Sequence, residues 1–147
     1  MEKTEKYRLL ERQVASLVEG ETDVIAKMAN IAAVLHETFG FWWTGFYRVV
    51  GEELVLGPFQ GPVACMHIPF GKGVCGTAWK RNETVVVPDV EEFPGHIACS
   101  SASKSEIVVP VHGAGGEVVA VLDIDSDRLA TFDEEDRVWL ERIVTLL

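Results

Sequence analysis

The sequence predicts an α/β chain of the α+β type, with a mainly antiparallel central sheet and helices packed on its faces. Three observations carry this. Helical and strand-like periodicities come in blocks, in the order ααββ, β-α-β, loop, ββα, rather than in strict alternation. The strands fall in neighbouring hairpins, which pair antiparallel. The 147 residues contain no repeat and no Gly/Ser/Pro linker, so residues 1–147 read as one domain. Area scaling gives such a chain a folded surface of roughly 7,500 Å², about a third of its unfolded value, enough for a core without disulfide staples.

Tyr7, Leu10, Val14, Leu17 and Val18 recur at helical spacing, and Gly20 stops that helix. Thr22 is the expected N-cap of a second helix through Ile25, Met28, Ala29, Ala32, Leu35 and Phe39, which Gly40 ends. Residues 43–50 and 54–56 are strand-like and turn at Gly51-Glu-Glu53. Residues 57–105 hold all three cysteines and five of the six prolines. Their regular pieces are short: a strand near 65–68, a helix near 74–81 and a strand at 84–87. No period runs from Asp89 to Lys104, and a long irregular stretch in a compact domain is usually functional or disordered. Strands at 106–111 and 117–125 follow, and Thr131-Phe-Asp-Glu134 reads as a capping box for a last helix through Val138, Leu140, Ile143 and Leu146.

Thirteen basic against 23 acidic residues leave a net charge of −10, with no basic run. That argues against nucleic acid and anionic membranes as partners. Three cysteines is an odd count for a disulfide framework, and Met1-Glu-Lys-Thr-Glu-Lys6 lacks the apolar stretch of a secretory signal. The expected location is cytoplasmic, where thiols stay reduced unless they do chemistry.

Gly71-Lys-Gly-Val-Cys-Gly76 spells the dinucleotide fingerprint G-x-G-x-x-G. The helix after it is too short for a βαβ crossover, and no further βαβ units follow, so it reads as a tight turn running into a helix N-terminus. Cys65, Cys75 and Cys99 all lie in the irregular middle. Free cysteines are often buried small hydrophobes. Cys75, however, sits near a helix N-terminus that would favour its thiolate, and Cys99 lies in a polar loop of small residues with His96 three positions away. Cys65, His67, Cys75, His96 and Cys99 have the atom types of a zinc site, but no C-x₂-C pair exists and no metal or other cofactor is expected. Asp123 and Asp125 alternate on one strand face, and Glu106 opens another strand. Acids gathered in that way raise one another's pKa, and one that stays protonated can act as a proton donor. Trp43 and Tyr47 share a strand face with Gly45, as core or as a box for an apolar or sulfur-containing ligand.

Six blocks together carry a resemblance: 54–61, Ile68-Pro-Phe-Gly-Lys-Gly-Val-Cys-Gly-Thr-Ala-Trp79, Val87-Pro-Asp-Val90, Phe93-Pro-Gly-His-Ile-Ala-Cys99, Ser105-Glu-Ile-Val-Val-Pro110 and Leu122-Asp-Ile-Asp-Ser126. They resemble the free methionine-(R)-sulfoxide reductases, thiol-dependent enzymes of the GAF fold. The resemblance implies Cys99 as nucleophile, Cys65 as resolving cysteine and Cys75 as a secondary thiol. It implies Glu106, Asp123 and Asp125 as the acids of the substrate pocket, with Glu106 and Asp125 in the proton chemistry and Trp43 and Tyr47 beside them. It assigns no role to His67 or His96. The implied substrate is free methionine sulfoxide, with thioredoxin as reductant and a homodimer or the sheet as the use of the stripes on the first two helices. A non-catalytic small-molecule-binding GAF module and a thiol redox sensor are the alternative readings.

Overall fold

The element order in the computed structural model, which describes residues 1–97 and 102–147, follows directly from those patterns. It is α1 (Lys3–Val18), α2 (Val24–Phe39), β1 (Trp43–Val50), β2 (Glu53–Gln60), β3 (His67–Pro69), α3 (Gly73–Arg81), β4 (Val85–Val87), a 3₁₀ turn at Val90–Glu92, β5 (Ser105–His112), β6 (Val118–Ser126) and α4 (Glu134–Val144). The six strands form one sheet in the order β3-β2-β1-β6-β5-β4, and every neighbouring pair is antiparallel. The two hairpins therefore meet at β1 and β6, in the middle of the sheet. The surface is 7599 Å², close to the value expected for a compact chain of this mass.

Period-two alternation divides the central strands between two cores. Phe46, Ile107, Val109, Ala120, Leu122 and Ile124 face α1, α2 and α4, where they meet Tyr7, Leu10, Met28, Leu35 and Leu140. Tyr47, Val108 and Val121 face the other way, toward Val74, Cys75 and Ala78 of α3. The stripe of α2 is thus buried against β1 and β2, and that of α1 against α2 and α4. Leu17, Ile25, Ala29 and Val138, expected in the stripes, lie at their margins and are exposed, while Ile31 completes the buried face of α2.

Three local expectations need correction. Asp23, not Thr22, caps α2: its carboxylate accepts from Ile25 N and Ala26 N at 2.9 and 3.1 Å, and its charge suits the helix N-terminus. The capping box of α4 is Asp133 with Asp136, because the Thr131 hydroxyl is engaged with Ser126 Oγ at 2.6 Å. β2 runs on to Gln60, through Gly57 and Pro58, because the register with β1 shifts between Gly45 and Tyr47 and the bulge accommodates the missing N–H of proline. β3 begins at His67, so Cys65 precedes it.

Asp136 also ties the chain's ends together. Tyr7, fully buried on α1, donates its hydroxyl to Asp136 Oδ1 at 2.6 Å, and Lys3 Nζ donates to Oδ2 at 2.7 Å. Tyr7→Phe keeps the ring but strips a buried carboxylate of one donor. It is expected to destabilise the fold by about 1–3 kcal/mol, read as a lower urea midpoint with an unchanged slope.

Gly71 and Gly73 have φ of 74° and 62°. A Cβ on Gly76 would stand 2.7 Å from Pro69 O. The glycines of the G-x-G-x-x-G run therefore make a tight turn into α3, a nine-residue helix laid on an antiparallel sheet. Among the described residues no helix is long and apolar enough to cross a membrane.

Candidate active site

The register of β5, β6 and β1 gathers the acids and the aromatics on one face. Glu106 is opposite Asp125, and Val108 is opposite Asp123. On the other side of β6, Trp43 is opposite Asp125 and Gly45 is opposite Asp123. Trp43 stacks on Tyr47 and Phe59 with ring centroids 5.9 and 5.2 Å away. Gly45 permits this: a Cβ there would come within 2.4 Å of Phe59 Cβ and 2.7 Å of Trp43 Cη2. The polar tips of the two aromatics fix the chain that approaches Cys65. Trp43 Nε1 donates to Pro62 O at 3.0 Å, and the Tyr47 hydroxyl donates to Cys65 O at 2.9 Å.

Between these groups and the start of α3 lies a cavity of about 60 Å³, several times what one water needs. Trp43, Tyr47, Cys75, His96, Glu106, Asp123 and Asp125 all line it. Gly73, Val74 and Cys75 bring the first turn of α3 to its wall. No side chain caps that helix and its first turn holds no acid, so its leading N–H groups and the positive end of its dipole are open to an anion.

No lysine or arginine lines the cavity among the described residues. Burial, followed by the neighbouring carboxylates, pushes Glu106 and Asp125 well above the usual carboxyl range. Burial raises Asp123 too, but hydrogen bonds from Glu106, Cys75 and Asp125 favour its charged form. Of the three, Glu106 and Asp125 are therefore pushed furthest toward their protonated forms, and Asp123 is the one whose charged form its neighbours favour. Among the described residues Asp123 Oδ1 is buried with no hydrogen-bond partner, an open acceptor in a cavity that none of their lysines or arginines lines. Ser103 Oγ donates to Asp125 Oδ1 at 3.3 Å, and His96 Nε2 stands 4.0 Å from Glu106 Oε1.

The cysteines differ from one another. Cys75 is free, 3% exposed, and its thiol is pushed well above the ordinary value by burial and by Asp123, Glu106 and Asp125. This corrects the expectation of a thiolate at the helix N-terminus: desolvation and three acids outweigh the dipole. Cys65 is disulfide-bonded. Cys99 lies outside the described residues. Of the zinc-type residues noted in the sequence, His67 stands apart: its ring is exposed and pairs with Glu53 at 2.9 Å. A different donor set does converge: Cys75, Glu106 and Asp123 bring ligand atoms within 4.8 Å of one another. His96, noted in the sequence only as a neighbour of Cys99 and a zinc-type ligand, and Ser103, which carries no signal there, both lie in a segment without period and come to the acids only in the folded chain.

A six-stranded antiparallel sheet flanked by helices, with a small-molecule cavity under a short helix, defines a GAF domain, and the chain belongs to that family: its model, GAF domain, matches residues 20–147. Within it the chain falls among the free methionine-R-sulfoxide reductases. The enzyme of that name from Escherichia coli is 47% identical over 148 residues, covering 100% of this chain and 89% of its own. The one from Saccharomyces cerevisiae is 40% identical, over 97% of this chain and 85% of its own. The structure of free methionine-R-sulfoxide reductase from Neisseria meningitidis in complex with its substrate superposes with a TM-score of 0.97 at 53% identity, covering 99% of this chain and 88% of that one.

Proposed function

We propose that this chain reduces free methionine-(R)-sulfoxide to methionine, with Cys99 as nucleophile, Cys65 as resolving thiol and a thioredoxin-type dithiol as reductant in the cytoplasm. The observation that carries the reading is the cavity's make-up: a buried carboxylate oxygen without a partner among the described residues, beside two acids pushed toward their protonated forms, with an aromatic wall. A zwitterionic amino acid suits it. Its ammonium pairs with Asp123 Oδ1, and its carboxylate meets the leading N–H groups of α3. Its S-methyl group rests on Trp43 and Tyr47, and sulfur packs well on aromatic rings. The sulfoxide oxygen then faces Glu106 and Asp125.

The Cys99 thiolate attacks the sulfoxide sulfur while Glu106 gives its proton to the oxygen. An S–S bond forms to the methionine sulfur; the hydroxyl then passes to the Cys99 sulfur as the S–O and S–S bonds break, so methionine leaves and Cys99 becomes a sulfenic acid with Glu106 ionised. The Cys65 thiol displaces that hydroxyl as water and forms a disulfide. A dithiol reduces the disulfide by exchange and closes the cycle. That Cys65 is disulfide-bonded while Cys75 is a free buried thiol supports this division of labour.

The test is a substrate comparison on the whole chain. An amide nitrogen has no charge to pair with Asp123, and the buried carboxylate would be left without its partner. N-acetylmethionine sulfoxide is therefore expected to react with a kcat/KM lower by ~10²-fold or more, and peptide-bound sulfoxide no better. Only the R epimer of the free amino acid should be consumed. Similar kcat/KM for free and acetylated substrates would sink the ammonium clamp. Thiol titration separates the alternatives, since a binding module or a sensor loses no two thiols per methionine formed.

A further inference from the structure

The proposed chemistry uses the Glu106 proton once per turnover, and the fold leaves few ways to restore it. The Glu106 side chain is 8% exposed, and its cavity neighbours Asp123, Asp125 and Cys75 are themselves acids. His96 is the one base lining the cavity among the described residues. Its Nε2 stands 4.0 Å from Glu106 Oε1, and its side chain is 17% exposed, so the ring bridges the acid and solvent. The backbone that carries the ring is held on both sides: the His96 backbone N–H donates to Phe93 O at 3.2 Å, and the next residue, Ile97, packs on Gly73, where a Cβ would stand 3.1 Å from its Cγ1. Burial keeps the imidazole neutral near pH 7. A neutral imidazole accepts a proton on one nitrogen and releases one from the other.

We propose that His96 is the proton-relay residue of this site: it returns a proton from solvent to Glu106 after each turnover. The inference rests on the reading of Glu106 as the acid. The balance is simple. Attack converts the thiolate, sulfoxide and protonated Glu106 into sulfenic acid, methionine and ionised Glu106. Disulfide formation then releases water and leaves Glu106 ionised. His96 takes one proton from solvent and passes it to Glu106; the dithiol then reduces the disulfide to the Cys65 thiol and the Cys99 thiolate with release of one proton to solvent, which restores the starting state. His96 does not touch the reacting atoms, so its loss should leave the first turnover intact and slow the later ones.

The experiment compares the wild-type chain with His96→Asn. With both chains first reduced and then freed of reductant, rapid mixing with free methionine-(R)-sulfoxide should give the same first-turnover rate and about one methionine per chain, because that turnover draws only on the proton Glu106 already holds. With saturating dithiothreitol, kcat should fall about tenfold or more, with KM little changed, and added imidazole should restore it. An unchanged steady-state rate overturns the proposal. So does an equal slowing of the first turnover without imidazole rescue, which would mark a structural role. Loss of steady-state rate in Ser103→Ala, with a full rate in His96→Asn, would route the proton through Asp125 and also overturn it. Failure of the underlying reading shows separately, as a Glu106→Gln chain whose first turnover keeps the wild-type rate.

Discussion

Cys99→Ser is expected to release no measurable methionine, in single or multiple turnovers, with dithiothreitol or a thioredoxin as reductant. The loss should reach ~10³-fold or more, the scale on which a covalent nucleophile is missed. The other two sulfurs are poorly suited to the attack. Cys75 is close enough to the acids to be mistaken for the nucleophile, yet it is 3% exposed and its thiol is pushed well above the ordinary value. An ordinary cysteine is already only a few per cent thiolate at neutral pH, and Cys75 holds less. Ionising it would place a second negative charge beside Asp123. Cys65 is held by its backbone, through the Tyr47 hydroxyl on its carbonyl, at the segment that approaches the aromatic wall. Methionine release by amino-acid analysis checks the expectation. Residual turnover that disappears on adding Cys75→Ser would move the nucleophile to Cys75.

The sheet was legible because its signals are local. The alternation Val118-Val-Ala-Val-Leu-Asp-Ile-Asp125 states both that a strand exists and that its two aspartates share a face, and the structure keeps them there. The burial of that face was not legible. The same acids at a frayed strand end would sit in water with ordinary pKa values; here burial, with the first turn of α3 and His96 at the cavity wall, and one another's charge push them up. The cap of α2 was misplaced by one residue because Thr22 and Asp23 both have a side-chain acceptor, and the choice depends on which one reaches Ile25 N and Ala26 N. The thiolate expected at Cys75 failed for the reverse reason: a helix N-terminus is visible in sequence, whereas three acids delivered from two distant strands are not. His96 had no periodicity to mark it, and its nearness to Glu106 exists only in the folded chain.

Glu106→Gln should lower kcat by ~10²–10⁴-fold, the range of general-acid contributions, while KM changes little. The amide keeps the side chain's shape and can still donate a hydrogen bond to the sulfoxide oxygen, so substrate binds. It has no acidic proton to give as the S–O bond breaks. In the wild type, Glu106 stands well above its ordinary value, so kcat should hold through neutral pH and fall as pH rises through that raised value. The same shift has a stability sign. The folded chain keeps protons on Glu106 and Asp125 that the unfolded chain releases above about pH 5. Stability therefore declines as pH rises from there toward the raised values. Removing one of those groups should make the decline shallower, so Glu106→Gln should unfold at a higher temperature than the wild type at pH 7 and at nearly the same temperature at pH 4. A slower but more stable enzyme is the outcome expected when a buried acid is kept for chemistry and not for the fold. An unimpaired kcat would remove Glu106 as the acid, and a variant less stable at pH 7 than at pH 4, relative to wild type, would mean that its carboxyl is not held protonated.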